Sequence, residues 1–216
     1  MNKIKAVIFD MDGVLIEAKD WHYEALNQAL ELFGYKISRY DHLVTFDGLP
    51  TKKKLEMLSM ERGLPKGLHA FINHMKQLYT MQYVYTKCKP LFCHQYALAK
   101  LKAEGYKLAL GSNSVRITID MMLGKADLLK YLDFTLSNQD VMKSKPDPEI
   151  YNTAIKRLGL KPDECLIVED NQNGVKAALA SGAHLLKVET VYDVNYANIK
   201  KRIDEIEQTQ KKKEAA

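Results

Sequence analysis

The stretch Ile4-Lys5-Ala6-Val7-Ile8-Phe9-Asp10-Met11-Asp12-Gly13 decides the fold. Its first six residues are rich in β-branched and aromatic side chains and the run ends at Asp10, as a strand buried in a parallel sheet would. Similar runs recur at Lys107-Leu108-Ala109-Leu110, Phe134-Thr135-Leu136, Cys165-Leu166-Ile167-Val168 and Leu185-Leu186-Lys187-Val188. Helical patterns fill roughly 114 to 131, 148 to 158 and 171 to 181 between the later runs. Strands alternating with helices imply βαβ units, hence an α/β chain with a Rossmann-like parallel sheet core. Asp147 is placed to cap a helix that begins at Pro148, and Gly182 follows Val175, Ala178 and Leu179 as a stop.

The first connection is anomalous. About 95 residues separate the first strand from the second, where a crossover needs little more than about a dozen. The extra sequence is helical in period: Leu26, Leu30 and Phe33 after Trp21-His22-Tyr23, then Leu55 and Leu58, then Phe71, Met75, Leu78 and Tyr79. Gly48-Leu49-Pro50 and Gly63-Leu64-Pro65 punctuate it. These signals predict a helical cap domain at 17–88 and a core made of 1–16 with 89–216, in which a helix over 92–104 leads into the second strand.

Composition narrows the class. A chain of 216 residues, 46% hydrophobic and 27% charged, is that of a folded protein, and at this length roughly 70% of the unfolded surface is buried without a staple. No apolar run approaches the roughly 18 residues of a membrane span, and the start lacks a secretory apolar segment, so no membrane partner is expected and the cytoplasm is the default. Three cysteines, Cys88, Cys93 and Cys165, do not make a disulfide framework. The net charge of +5 is spread thinly: residues 200–216 hold six Lys/Arg against four Asp/Glu. Lys52-Lys53-Lys54 and Lys211-Lys212-Lys213 are isolated triplets, read as solvated surface, and no nucleic-acid partner is expected. The tail after Ile206 reads as a fraying helix.

In an open parallel sheet, ligands bind beyond the carboxyl ends of the strands. Residues just past those ends are Asp10-Met11-Asp12-Gly13, Gly111-Ser112-Asn113-Ser114 and Glu169-Asp170, with Lys143-Ser144-Lys145-Pro146 after the third strand. Asp after a strand often only tightens a turn. Here, Asp10, Asp12, Glu169 and Asp170 would repel one another if left alone, and a hard cation with oxygen ligands and open water positions, such as Mg2+, relieves that. The same cation suits an anionic substrate, above all a phosphate, with Ser112, Asn113 and backbone N–H groups as donors and Lys145 as the opposing charge. One Asp can then act as nucleophile and the other as general acid and base.

Asp10-Met11-Asp12-Gly13-Val14, Ser112-Asn113, Lys145-Pro146 and Glu169-Asp170-Asn171 followed by Gly174 resemble, in order and over nearly the whole chain, the four motifs of the haloacid dehalogenase (HAD) superfamily. The likeness is to its capped phosphatases and β-phosphoglucomutase-like members. The resemblance implies Asp10 as nucleophile, Asp12 as general acid and base whose carbonyl also faces Mg2+, and Asp170 as a further ligand with Glu169 close behind it. It further implies Ser112 and Lys145 as the phosphate-holding pair, a contact from Asn113, and a tight turn at Gly13. It implies a monomer acting on a small phosphorylated metabolite, a sugar phosphate or similar.

Within that superfamily the residues separate several reactions. Displacement of halide needs no second Asp, and Asp12 is present. A phosphonate hydrolase would need a cap lysine, for which Lys52, Lys53 and Lys54 are the candidates; a solvated helix face is the preferred reading. A sugar phosphomutase is the nearer alternative. His22 stands at the cap hinge in both classes, whereas Ala18 replaces the hydroxyl residue of the mutase pattern and favours a phosphatase. A binding protein that kept the fold would show a damaged motif, and none is seen. Cys88, Cys93 and His94 match no common zinc spacing. His22, Lys52, Lys76 and Tyr79 are the cap residues available to choose a substrate.

Overall fold

The computed structural model describes residues 3–214, with side chains up to Thr209. The surface placement expected of Lys211, Lys212 and Lys213 therefore lies outside the described side chains. In chain order the elements are β1 (Ala6–Phe9), α1 (Lys19–Glu31), α2 (Arg39–Asp41), α3 (Thr51–Arg62), α4 (His69–Lys87) and α5 (Phe92–Ala103). They continue with β2 (Lys107–Gly111), α6 (Arg116–Lys125), β3 (Phe134–Leu136), α7 (Glu149–Leu158), β4 (Cys165–Glu169), α8 (Gln172–Ala180), β5 (His184–Lys187) and α9 (Tyr196–Glu214). The chain forms two compact units, Met1–Glu17 with Lys89–Ala216, and Ala18–Cys88.

The first unit holds a five-stranded parallel sheet in the order β3-β2-β1-β4-β5. Ala6 and Ile8 of β1 join Ala109, Cys165 and Ile167 on one face, packed against Ile150, Tyr151, Ala154 and Ile155 of α7 and Ala177 and Ala178 of α8. Val7 and Phe9, which alternate with them, are equally buried, so β1 is covered on both faces, as its apolar run requires. Register aligns the strand ends: Phe9 lies beside Leu110 and Val168. Asp10, Ser112 and Glu169 consequently leave the sheet at the same edge.

Local chemistry adjusts the expected boundaries. The helix expected over 114–131 stops at Lys125, because Asp127 takes a left-handed φ of 57° that an α-helix cannot contain. Helix α7 starts at Glu149 rather than Pro148, with Asp147 Oδ1 accepting the Glu149 N–H at 3.0 Å. The last strand runs from His184 to Lys187, one residue earlier than its apolar run.

The second unit is helical, with a core of Leu26, Ala29, Leu30, Ile37, Phe46, Leu55, Leu58, Leu64 and Ile72. Asn27 ties the chain after α1 back to it: its Oδ1 accepts from Ile37 N at 2.8 Å and its Nδ2 donates to Ile37 O at 3.0 Å. Two expectations are corrected. Helix α4 buries Ile72, Lys76, Thr80 and Val84, a strict i, i+4 row, and leaves Phe71 and Leu78 about half exposed; Phe71 instead meets Phe33 edge-on, centroids 5.7 Å apart. Lys54 is not solvated surface. It is 7% exposed, because it sits four positions before Leu58 and one before Leu55 on the inward side of α3, while Lys52 and Lys53 are exposed.

His42 opens a π-helical turn, His42–Phe46, and is 2% exposed with neither ring nitrogen hydrogen-bonded. Its ring lies 4.9 Å from that of Tyr23. Burial, aided by the Lys54 charge, pushes its pKa down to about 4. The folded chain therefore holds this imidazole neutral, while the unfolded chain protonates it near the ordinary value of about 6.5. Stability should fall as pH is lowered from about 6.5 toward 4, and a His42→Gln variant should lose that part of the slope in urea unfolding followed across this range.

Candidate active site

The residues gathered at the sheet edge are Asp10, Asp12, Ser112, Asn113, Ser114, Lys145, Tyr151, Glu169 and Asp170. At the centre, Lys145 Nζ donates to Asp10 Oδ1 and to Glu169 Oε1, both at 2.6 Å. All three groups are buried. Burial pushes the Asp10 carboxyl well above the usual carboxylate range; the Lys145 charge opposes this, and Glu169, Asp170 and Asp12 push it further up. Burial also works against the Lys145 ammonium, but Asp10 and Glu169 hold its pKa above the ordinary lysine value.

Each member is placed by its own turn. After β1 the chain coils back on Met11, whose carbonyl accepts from Leu15 N and Ile16 N at 2.9 Å each, while Gly13 N donates to Ile16 O at 2.7 Å. Gly13 takes φ 90°, which side chains disfavour. Asp12 Oδ2 accepts from Ser114 Oγ at 2.9 Å, so two strand ends are tied side chain to side chain. Ser112 N donates to Leu136 O at 3.0 Å, and Ser112 Oγ accepts from Ser114 N at 3.0 Å.

The Lys145 loop is clamped from both sides. Asn113 Oδ1 accepts from Lys145 N at 3.1 Å and its Nδ2 donates to Lys145 O at 3.4 Å. Its side chain thus holds the loop backbone that carries Lys145. Glu149 reaches back from the first turn of α7 to accept from Met142 N and Lys143 N, both at 2.9 Å. The Lys145-Pro146 peptide is cis.

Asp10, Glu169 and Asp170 each bring a carboxylate oxygen within 4.8 Å of the others, and together they could hold a metal ion. The donor set is all oxygen, which fits a hard divalent cation such as Mg2+. Within it Glu169 is heavily committed. Oε1 accepts from Lys145 and from Tyr151 OH, the latter at 2.7 Å, and Oε2 accepts from Asp170 N and Asn171 N at 3.0 and 3.2 Å.

Tyr151 is a site residue the sequence reading missed, although it closes Lys145-Pro146-Asp147-Pro148-Glu149-Ile150-Tyr151, and Ser114, named at its strand end, had no role there. A buried tyrosine hydroxyl needs a partner, and that was the available signal. His22 is in the helical unit, where Lys76 Nζ donates to its Nδ1 at 3.1 Å. His94 places its Nε2–H on the Val191 carbonyl at 2.7 Å, a structural use in keeping with a spacing that matches no common zinc site. Cys165 is fully buried, with its thiol pushed up to about 12.

The parallel sheet presents carboxylates, hydroxyls and a lysine together at one edge. Residues 7–188 match the haloacid dehalogenase-like hydrolase family, and the chain belongs to it. It is 29% identical over 199 residues to the phosphorylated carbohydrates phosphatase of Thermotoga maritima, covering 88% of this chain and 85% of that protein. The phosphoglycolate phosphatase of Nitrosospira multiformis is 28% identical over 198 residues, with 88% and 85% covered. In fold it is similar to β-phosphoglucomutase from Clostridium difficile, with a TM-score of 0.80 at 21% identity over 94% of this chain and 98% of that one.

Gly174 provides a direct check on this geometry. A Cβ there would lie 1.7 Å from Glu169 Oε1 and 2.0 Å from its Cδ. Ala for Gly inside a helix ordinarily stabilises by about 1 kcal/mol. Here the sign should reverse: Gly174→Ala must push Glu169 out of its four bonds, costing about 1–3 kcal/mol, read as a lower Tm.

Proposed function

We propose that this hydrolase cleaves the phosphate monoester of a small metabolite, a sugar phosphate or similar, in a Mg2+-dependent reaction through an aspartyl phosphate on Asp10. The observation that carries the reading is the buried Asp10–Lys145–Glu169 contact at the strand ends, with Asp170 and Asp12 adjoining. These carboxylates outnumber the lysine. That imbalance suits a cation and, with it, a phosphate.

In this reading, an Asp10 carboxylate oxygen attacks phosphorus and the bond to the leaving alcohol breaks, the alcohol oxygen taking its proton from the Asp12 carboxyl. Asp12, now ionised, takes a proton from water as that water attacks the phosphoaspartate, releasing phosphate and restoring Asp10. Ser114 orients Asp12 for both transfers. Lys145, Ser112 and Asn113 hold phosphate oxygens as negative charge develops, and the Asn113 side chain also fixes the Lys145 backbone. Mg2+, held by Asp10, Asp170 and the Asp12 carbonyl with Glu169 behind them, would neutralise phosphate charge.

Ala18–Cys88 is read as the cap that selects the leaving group; it begins six positions after Asp12 in the chain. His22 and Lys76, which the helical unit brings together, are candidates for that selection, beside Lys52 and Tyr79. The phosphatase names of the sequence relatives support hydrolysis over a phosphomutase reaction.

The test is release of inorganic phosphate from a panel of sugar and small-metabolite phosphates with Mg2+. Wild type should release it, EDTA should stop release, and Asp10→Asn should reduce it to background. Isomerised sugar phosphate with little free phosphate would overturn the proposal.

A further inference from the structure

Tyr151 lies beneath the site and has no place in the reaction as described. Its ring is fully buried, and the Lys145 ammonium lies 4.6 Å from the ring centroid. Phenylalanine would fill the same volume and present the same ring to the ammonium. A buried hydroxyl costs free energy unless it is bonded, and this one donates to Glu169 Oε1 at 2.7 Å. What tyrosine adds over phenylalanine is that bond.

A carboxylate offers about four lone-pair directions, and Glu169 accepts four donors: Lys145 and Tyr151 on Oε1, and the N–H groups of Asp170 and Asn171 on Oε2. One oxygen therefore carries the cation and the other the turn that bears Asp170. Lys145 Nζ is 2.6 Å from both Asp10 and Glu169, so its position is a balance between two carboxylates. A second donor on Oε1 takes up part of that oxygen's acceptor strength. Without it, Glu169 competes better for the ammonium and draws it from Asp10. The missing Cβ of Gly174 gives Glu169 room to stand there.

We infer that Tyr151 is a positioning residue that acts through Glu169, holding Lys145 midway between Asp10 and Glu169 and keeping the Asp170 turn in place. The activity readout of this inference rests on the phosphatase reading above; its metal-binding readout does not.

The experiment compares wild type, Tyr151→Phe, Glu169→Ala and the double variant. It measures melting, Mg2+ affinity by calorimetry, and kcat and KM for p-nitrophenyl phosphate. Tyr151→Phe should melt cooperatively yet lose about tenfold in kcat/KM or in Mg2+ affinity, the usual cost of removing a partner of a ligand shell. In the Glu169→Ala background the phenol has no carboxylate to act through, and the same change should cost less than about twofold. If Glu169→Ala does not fold, Glu169→Gln takes its place, and the Tyr151→Phe loss should shrink in it. Full activity and Mg2+ affinity in Tyr151→Phe, or an equal loss in both backgrounds, would overturn the inference while leaving the phosphatase reading standing. Coupled Mg2+ affinities in a chain that hydrolyses no phosphate ester would uphold the inference and overturn that reading. A wild type that neither binds Mg2+ nor turns over would overturn both.

Discussion

The Lys145 ammonium, held at 2.6 Å from both Asp10 and Glu169, is the contact on which the working edge of this molecule depends. The lysine and both carboxylates are buried. An ion left there without its partners costs several kcal/mol, so the surrounding chain must deliver all three groups together. Parallel register brings the ends of β1 and β4 level, which places Asp10 and Glu169 side by side. Lys145 arrives from the loop after β3, and that loop is clamped by Asn113 and Glu149 through its backbone.

This arrangement leaves the site rich in negative charge. Burial and the neighbouring carboxylates hold Asp10 well above its usual range even though Lys145 is bonded to it. A group poised this way is stabilised by added positive charge. The same electrostatics that make the contact costly to build make the edge one that could hold a cation. Glycine at 174 belongs to this economy of space, since any side chain there would occupy the volume of the Glu169 carboxylate.

The helical unit follows a different logic. Its core is aliphatic and aromatic and is closed by the Asn27 clamp on Ile37. It also buries Lys54 and His42, groups that rarely enter an interior. The Lys54 charge helps to keep the imidazole neutral, which ties the acid stability of this unit to a residue remote in sequence from the sheet edge.

The five strands, the helices between them and the long insertion were legible in the sequence, because apolar runs and helical periods are local properties of neighbouring residues. So was the identity of the side chains just past each strand end, since a parallel sheet must present them together. Periodicity located α4 but blurred its face: the buried row is Ile72, Lys76, Thr80 and Val84, Met75 and Tyr79 pack against the core beside it, and Phe71 and Leu78 stay half exposed. The charge of the Lys52-Lys53-Lys54 triplet hid the burial of its last member. By itself the sequence determined which chemical groups stand at the strand ends. Only tertiary structure decided that Tyr151 bonds Glu169, that Asn113 serves the Lys145 backbone and that Gly174 makes room for a carboxylate. Those relations join residues 5 to 32 positions apart, and separation along the chain carries no information about which side chains meet.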